Sequence, residues 1–122
     1  MTTSVEDDPV SELSTEECWT LLGLEEFGRL AFRLVDEVHL VPINYAVDAT
    51  SLLFRTTSGN KLLAAALHSD VAFEIDWHDE TSAWSVVVRG QLRRVPEDEE
   101  HRADSLPLRP WVPTLKYDLV EL

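Results

Sequence analysis

Leu53-Phe54-Arg55-Thr56-Thr57-Ser58-Gly59-Asn60-Lys61, running on into Leu62-Leu63-Ala64-Ala65-Ala66-Leu67, is where the backbone period of this chain changes. An apolar run suited to a strand ends in an arginine, three hydroxyl residues and a Gly-Asn turn. A lysine then opens an alanine-rich segment suited to a helix of about residues 60–68. Gly59 permits close backbone approach, and Ser58 or Asn60 can cap the helix. Arginine, lysine, hydroxyls and unpaired helix N-terminal amides are the donors that hold a phosphate dianion. Here they crowd one strand-to-helix corner of a chain whose net charge is −13. Two solvated cations balancing Asp48 and Asp70 are the plainer reading, but the hydroxyls and the glycine at the same turn favour an anion site. The glycine spacing is not that of a nucleotide-hydrolysing phosphate loop.

Strand patterns flank the corner. Arg29–Val35 is β-rich, Asp36-Glu37 reads as a turn, and His39–Val47 follows. Asp48-Ala49-Thr50 then turns the chain into Ser51–Thr56, giving three strands on short polar turns, an antiparallel meander. Pro42 cannot donate to a ladder, so a bulge or a free edge is expected there. Beyond the helix, Val71–Trp77 alternates from Phe73 onward, and His78–Ser82 is a loop. Trp84–Val95 is long enough to serve two sheets, with Gly90 as the bend. Pro96 opens an acidic helix, and Lys116–Leu122 reads as a closing strand. Upstream, Ser14 and Glu17 have capping-box spacing, so a helix begins there and stops near Gly23. Residues 1–12, with four acids and no periodicity, read as a solvated arm, leaving 13–122 as one domain. The expected class is mainly β with a few short helices, closed into a small antiparallel barrel that removes exposed edges.

Composition narrows the function. Ten basic against 23 acidic residues argue against nucleic acid and against anionic membranes as partners. No apolar run reaches membrane-spanning length. A single cysteine, Cys18, rules out an internal disulfide and fits a reducing, cytoplasmic setting. His39, His68, His78 and His101 are scattered without metal-ligand spacing, so no metal site is expected. Glu74 and Asp76 lie two apart on one strand face and read as solvated or ion-paired rather than as an acid–base couple.

An anion site at the corner needs room for the rest of its ligand. Pro42-Ile43-Asn44-Tyr45 lies on the neighbouring strand of the meander, where backbone amides and the Asn44 side chain can bond the polar edge of a flat ring. Tyr45 and Trp84 are candidates to cover a ring face, or else ordinary core aromatics.

Taken in order, Gly28–Phe32, Pro42–Tyr45, Phe54–Leu62, Val71–Asp76 and Trp84–Gly90 resemble the FMN-binding split barrels, and more narrowly the pyridoxamine 5′-phosphate oxidase-like family. The resemblance covers about residues 14–120. It implies a six-stranded antiparallel split β-barrel that forms a homodimer, with flavin at the subunit interface. It also implies that Arg55 and Lys61 hold the FMN phosphate, helped by Thr56 and Ser58. Asn44 and its neighbours Pro42 and Tyr45 would line the isoalloxazine, with Trp84, Trp111 and Lys116 approaching from the partner subunit. Val120-Glu121-Leu122 does not match the basic, histidine-containing end of the true oxidases. Vitamin B6 oxidation is therefore not expected, and the substrate is an unidentified small molecule. Relatives that bind F420 or haem make those the alternative cofactors, and a non-catalytic binding or sensing module the alternative function.

Overall fold

The computed structural model describes residues 3–6, 10–57, 61–108 and 117–122. In chain order the elements are β1 (Thr3–Glu6), β2 (Val10–Glu12), α1 (Thr15–Leu24), β3 (Phe27–Leu34), β4 (Glu37–Asn44), β5 (Ala46–Asp48) and β6 (Ser51–Thr57). Then come α2 (Lys61–Ala66), β7 (Asp70–His78), β8 (Ser82–Gln91), β9 (Arg93–Arg94), a 3-10 helix (Glu97–Ala103) and β10 (Tyr117–Glu121). All strand pairs between named strands are antiparallel, in a six-stranded sheet of order β2-β1-β8-β7-β3-β4 and a four-stranded sheet of order β5-β6-β10-β9.

The start of α1 follows from its first residues. The Glu17 amide donates to Ser14 Oγ at 3.1 Å, and the Ser14 amide donates to Glu17 Oε1 at 3.0 Å, so two orphan donors are satisfied reciprocally. Cys18 and Leu22 on this helix are fully buried. Alternation then sorts the strands. Leu30 and Phe32 of β3 stand opposite Phe73 and Val71 of β7, all four inward, while Arg29, Ala31 and Arg33 face outward.

Gly28 shows how tight the inner face is. A Cβ added there would lie 2.2 Å from the ring of Phe73 and 2.7 Å from the Glu74 carbonyl oxygen. Phe73 in turn meets Tyr45 edge-on, with ring centroids 4.9 Å apart. The main core gathers Cys18, Leu22, Leu30, Phe32, Phe54 and Phe73, among others. A second cluster, Ala46, Leu53, Val95, Ala103, Leu108 and Leu119, lies on the other face of the four-stranded sheet. Leu53 and Phe54, adjacent on β6, belong to different clusters, as alternation requires.

Three sequence expectations are met in detail. Pro42 sits on β4, the free edge of the larger sheet. The long run after Trp84 does serve both sheets, though it breaks at Leu92 and not at the expected Gly90, which stays paired with Val71 in β8: Leu92 bridges to Leu67, and β9 joins the smaller sheet. The closing strand, β10, lies between β6 and β9. Two expectations change. The stretch read as a solvated arm carries β1 and β2, which extend the larger sheet from β8. Its polar sequence hides this because an edge strand is held by backbone pairing and does not need apolar alternation. Ten strands are described against the six expected for the barrel, because the short β5 and β9 add to β1 and β2.

An ion-pair network ties the 3-10 helix to the smaller sheet. Arg102 donates to Asp48 Oδ2 at 2.8 Å and to Glu121 Oε2 at 2.5 Å. Glu121 also accepts from Arg93 Nε at 2.5 Å and from Ser51 Oγ at 2.7 Å. These contacts hold the Glu121 carboxyl at about 2, far below its ordinary value, with Arg102 the largest cause.

Candidate functional site

The two sheets meet where β4 ends. Tyr45 carries the chain from β4 into β5, and its amide donates to the Glu26 carbonyl at 3.0 Å. β5 then pairs with β6, Ala46 opposite Leu53. Alternation carried back from that pair puts Asn44 on the same face as Arg55, away from the main core. The end of β4 and the end of β6 thus lie at one seam, beside the place the sequence marks as an anion corner.

Arg55 leaves β6 on the face of the second core cluster. Its Nε donates to the Leu108 carbonyl at 3.0 Å. Among the described residues no carboxylate pairs with it, as with Arg33 and Arg89, whereas Arg29, Arg93, Arg94 and Arg102 have carboxylate partners. Among the described residues, the Leu108 carbonyl is the acceptor that this guanidinium meets. Thr56 points to the opposite face of the strand and stands across from Asp118 of β10. The structure separates these two residues by face while keeping them at one strand end. Ser58, Trp111 and Lys116 lie outside the described residues, as does the side chain of Lys61.

Asn44 is the other distinctive group. Its Oδ1 is buried and has no hydrogen-bond partner among the described residues. Buried side-chain oxygens nearly always find a donor, so an orphan of this kind calls for an explanation. Pro42, two residues earlier, is exposed on the same strand.

Tyr45 is placed in the core. Its side chain is 1% exposed, its hydroxyl donates to the Leu22 carbonyl at 2.6 Å, and its ring packs on Phe73. Burial raises the phenol above its ordinary value, with Glu25 adding to the effect. The ring expected to cover a ligand is instead the cap of α1, whose last carbonyls lack helical partners. At this position the core alternative is the correct one.

Trp84 lies elsewhere, at the far end of β8, opposite Trp77 and next to the 79–81 turn. It packs partly against the main core and lines a cavity of about 420 Å³ with Glu74, Asp76, His78 and Ser85. No described contact joins it to Asn44 or Arg55. Beside this cavity Arg29 bonds both Glu74 and Asp76, across the β3–β7 register that sets Arg29 opposite Glu74. Burial and a hydrogen bond donated to Asp76 push the Glu74 carboxyl up, whereas accepting that bond holds Asp76 down. The sequence shows the two carboxylates on one face, but only the register supplies their arginine. Among the described residues no group of three His, Cys, Asp or Glu is arranged to hold a metal ion. No described helix is long and apolar enough to cross a membrane.

The pyridoxamine 5′-phosphate oxidase family matches residues 14–121 of the chain. The protein belongs to this family. The match contains the seam and both core clusters. Among solved structures, the FAD-binding protein of Mycobacterium smegmatis is 39% identical, with a TM-score of 0.79 over 90% of this chain and 89% of that one. A protein from Corynebacterium glutamicum is 42% identical, with a TM-score of 0.82 over 94% of this chain and 87% of that one. An FAD- and haem-binding protein of Mycobacterium smegmatis shares the fold at 17% identity, with a TM-score of 0.75 over 91% of this chain and 66% of that one. The family's fold is therefore present throughout, as mainly antiparallel sheets with short helices.

Proposed function

We propose that this member of the family binds a flavin, FMN in the first instance, with its phosphate at the Arg55–Lys61 corner and its ring along Pro42–Asn44. The observation that carries the reading is Arg55. In a chain of net charge −13, this arginine stands at the seam with no carboxylate partner among the described residues. The orphaned Asn44 Oδ1 on the same face fits a ligand that is anionic at one end and hydrogen-bonding at the other. The 39%-identical FAD-binding protein supports a flavin. FAD contains the FMN unit, so the same corner suits the proximal phosphate of either molecule.

A bound flavin supplies hydride and electron transfer. The protein's part is to neutralise and orient. Arg55 and Lys61 offset the phosphate charge, Ser58 adds a hydroxyl donor, and the β4 end fixes the ring plane. The reading extends to a homodimer in which Trp84 of one subunit reaches the flavin of the other, and to oxidoreductase chemistry on a small molecule.

The test is to purify the protein, record its visible spectrum and identify any released cofactor by chromatography. FMN and FAD are then titrated by flavin fluorescence. Each charge-assisted contact contributes about 1.5–3 kcal/mol, so Arg55→Glu and Lys61→Ala are each expected to weaken binding at least tenfold. Flavin affinity that is unchanged in both variants would remove the assignment. Anaerobic reduction of bound flavin by NADH or NADPH separates an oxidoreductase from a binding module, which would show none.

A further inference from the structure

Resting on the flavin reading, we infer that Arg102 and Pro107 are positioning residues for the phosphate-binding Arg55, acting through the Leu108 carbonyl. Arg55 Nε donates to that carbonyl at 3.0 Å, across 53 positions of sequence. A guanidinium is planar, so holding Nε–H also sets the plane and direction of both terminal nitrogens. A phosphate then meets a donor fork that is already aimed, and less side-chain freedom is lost on binding. The Leu108 carbonyl sets the aim of Arg55, and whatever holds Leu108 sets it at one remove.

A run of short-range backbone bonds leads from the 3-10 helix to that carbonyl. The Asp104 amide donates to the His101 carbonyl at 3.0 Å, and the Leu106 amide to the Ala103 carbonyl at 3.1 Å. The Leu108 amide then donates to the Leu106 carbonyl at 2.7 Å, closing a three-residue turn on Pro107. The proline ring holds φ close to the value such a turn needs. Leu108 is buried with Ala103, Leu53 and Leu119, and Leu119 stands opposite Arg55 in the β6–β10 register. At the helix end, Arg102 bonds Asp48 of β5, Ser51 of β6 and Glu121 of β10. The segment that aims Arg55 is thus tied to the very strand that carries it.

The test titrates the full chain with FMN and with riboflavin, which has the same ring and no phosphate. Pro107→Gly frees the turn, and Arg102→Gln cuts the anchor. Each should weaken FMN by about fivefold, equivalent to about 1 kcal/mol and to the ordering cost of one long side chain. Riboflavin affinity should stay within about twofold of native, because only the phosphate contact is misaimed. Equal loss of both flavins, or loss of neither, would mean that these residues serve the fold alone and would overturn the inference. Pro107 is exposed, so Pro107→Gly gives the answer even if Arg102→Gln does not fold. Added to Arg55→Gln, Pro107→Gly should cost FMN no further affinity, since the group it aims is gone. A further fivefold loss there would place the action of Pro107 elsewhere and also overturn the inference. Each of these results leaves flavin binding itself intact. Failure of the native chain to bind FMN or FAD would instead overturn the flavin reading, and the positioning role with it.

Discussion

The network at Glu121 sets a pH dependence that can be worked out in advance. Glu121→Gln keeps the shape of the side chain and the reach to Ser51, but removes the negative charge shared by Arg93 and Arg102. A hydrogen bond to a charged group contributes about 1.5–3 kcal/mol and a neutral one about 0.5–1.5, so each arginine contact weakens by about 1 kcal/mol. Arg93 is 42% exposed, and solvent screening reduces its share. A net loss of about 1.5 kcal/mol is expected at pH 7, close to 6 °C in melting temperature for a domain of this length. The sign of the pH effect follows from the depressed carboxyl, at about 2 against an ordinary 4.5. Its stabilisation is complete above 4.5 and is lost as pH falls from there toward 2. Urea unfolding of both proteins at pH 7, 5, 3.5 and 2.5 should show a gap that is constant down to pH 5 and then closes. The other carboxylates titrate in both proteins and largely cancel. A gap that persists unchanged to pH 2.5, or no gap at pH 7, would show that the network does not stabilise the fold as described.

Gly28→Ala should destabilise the protein by about 1–3 kcal/mol through overpacking against Phe73, measured by chemical denaturation. The loss should shrink in a Phe73→Leu background, and an equal loss in both backgrounds would exclude the ring contact as its cause. Tyr45→Phe leaves the Leu22 carbonyl without its donor and should lower stability by about 1–3 kcal/mol. Flavin affinity should stay within twofold of native. Weakened binding at native stability would mean that the hydroxyl serves the ligand instead of α1.

How far the sequence could be read depended on where each signal resides. The capping box at Ser14–Glu17, the edge position of Pro42 and the two-sheet run after Trp84 were legible because each depends on local chemistry: a side-chain cap, a missing amide, a length. The family resemblance was legible from the order of its blocks. β1 and β2 were not, because backbone pairing at an edge leaves little trace in polar side chains. Tyr45 illustrates a second limit. Its type suits both a ligand wall and a core, and only the position of Leu22 and Phe73 decides between them. The partners of Glu74, Asp76 and Arg102 were hidden likewise, since they come from register and from distant elements. Asn44 was picked out as a polar residue on the right strand, but its orphaned oxygen is a property of the packed chain.

The central place of β10 in the smaller sheet has a consequence for the order of folding. β6 pairs on one side with β5, its immediate predecessor, and on the other with a strand separated from it by about half the chain. During synthesis the first pairing closes at once, while the second must await the emergence of Tyr117–Glu121. Until then β6, with Leu52, Leu53 and Phe54, is an apolar strand with one open edge, the kind of surface that recruits neighbouring chains. Pairing across so long a loop is slow to form. Yield of soluble protein should therefore be governed by how quickly β10 arrives, and conditions that slow translation of the final segment should favour aggregation over folding.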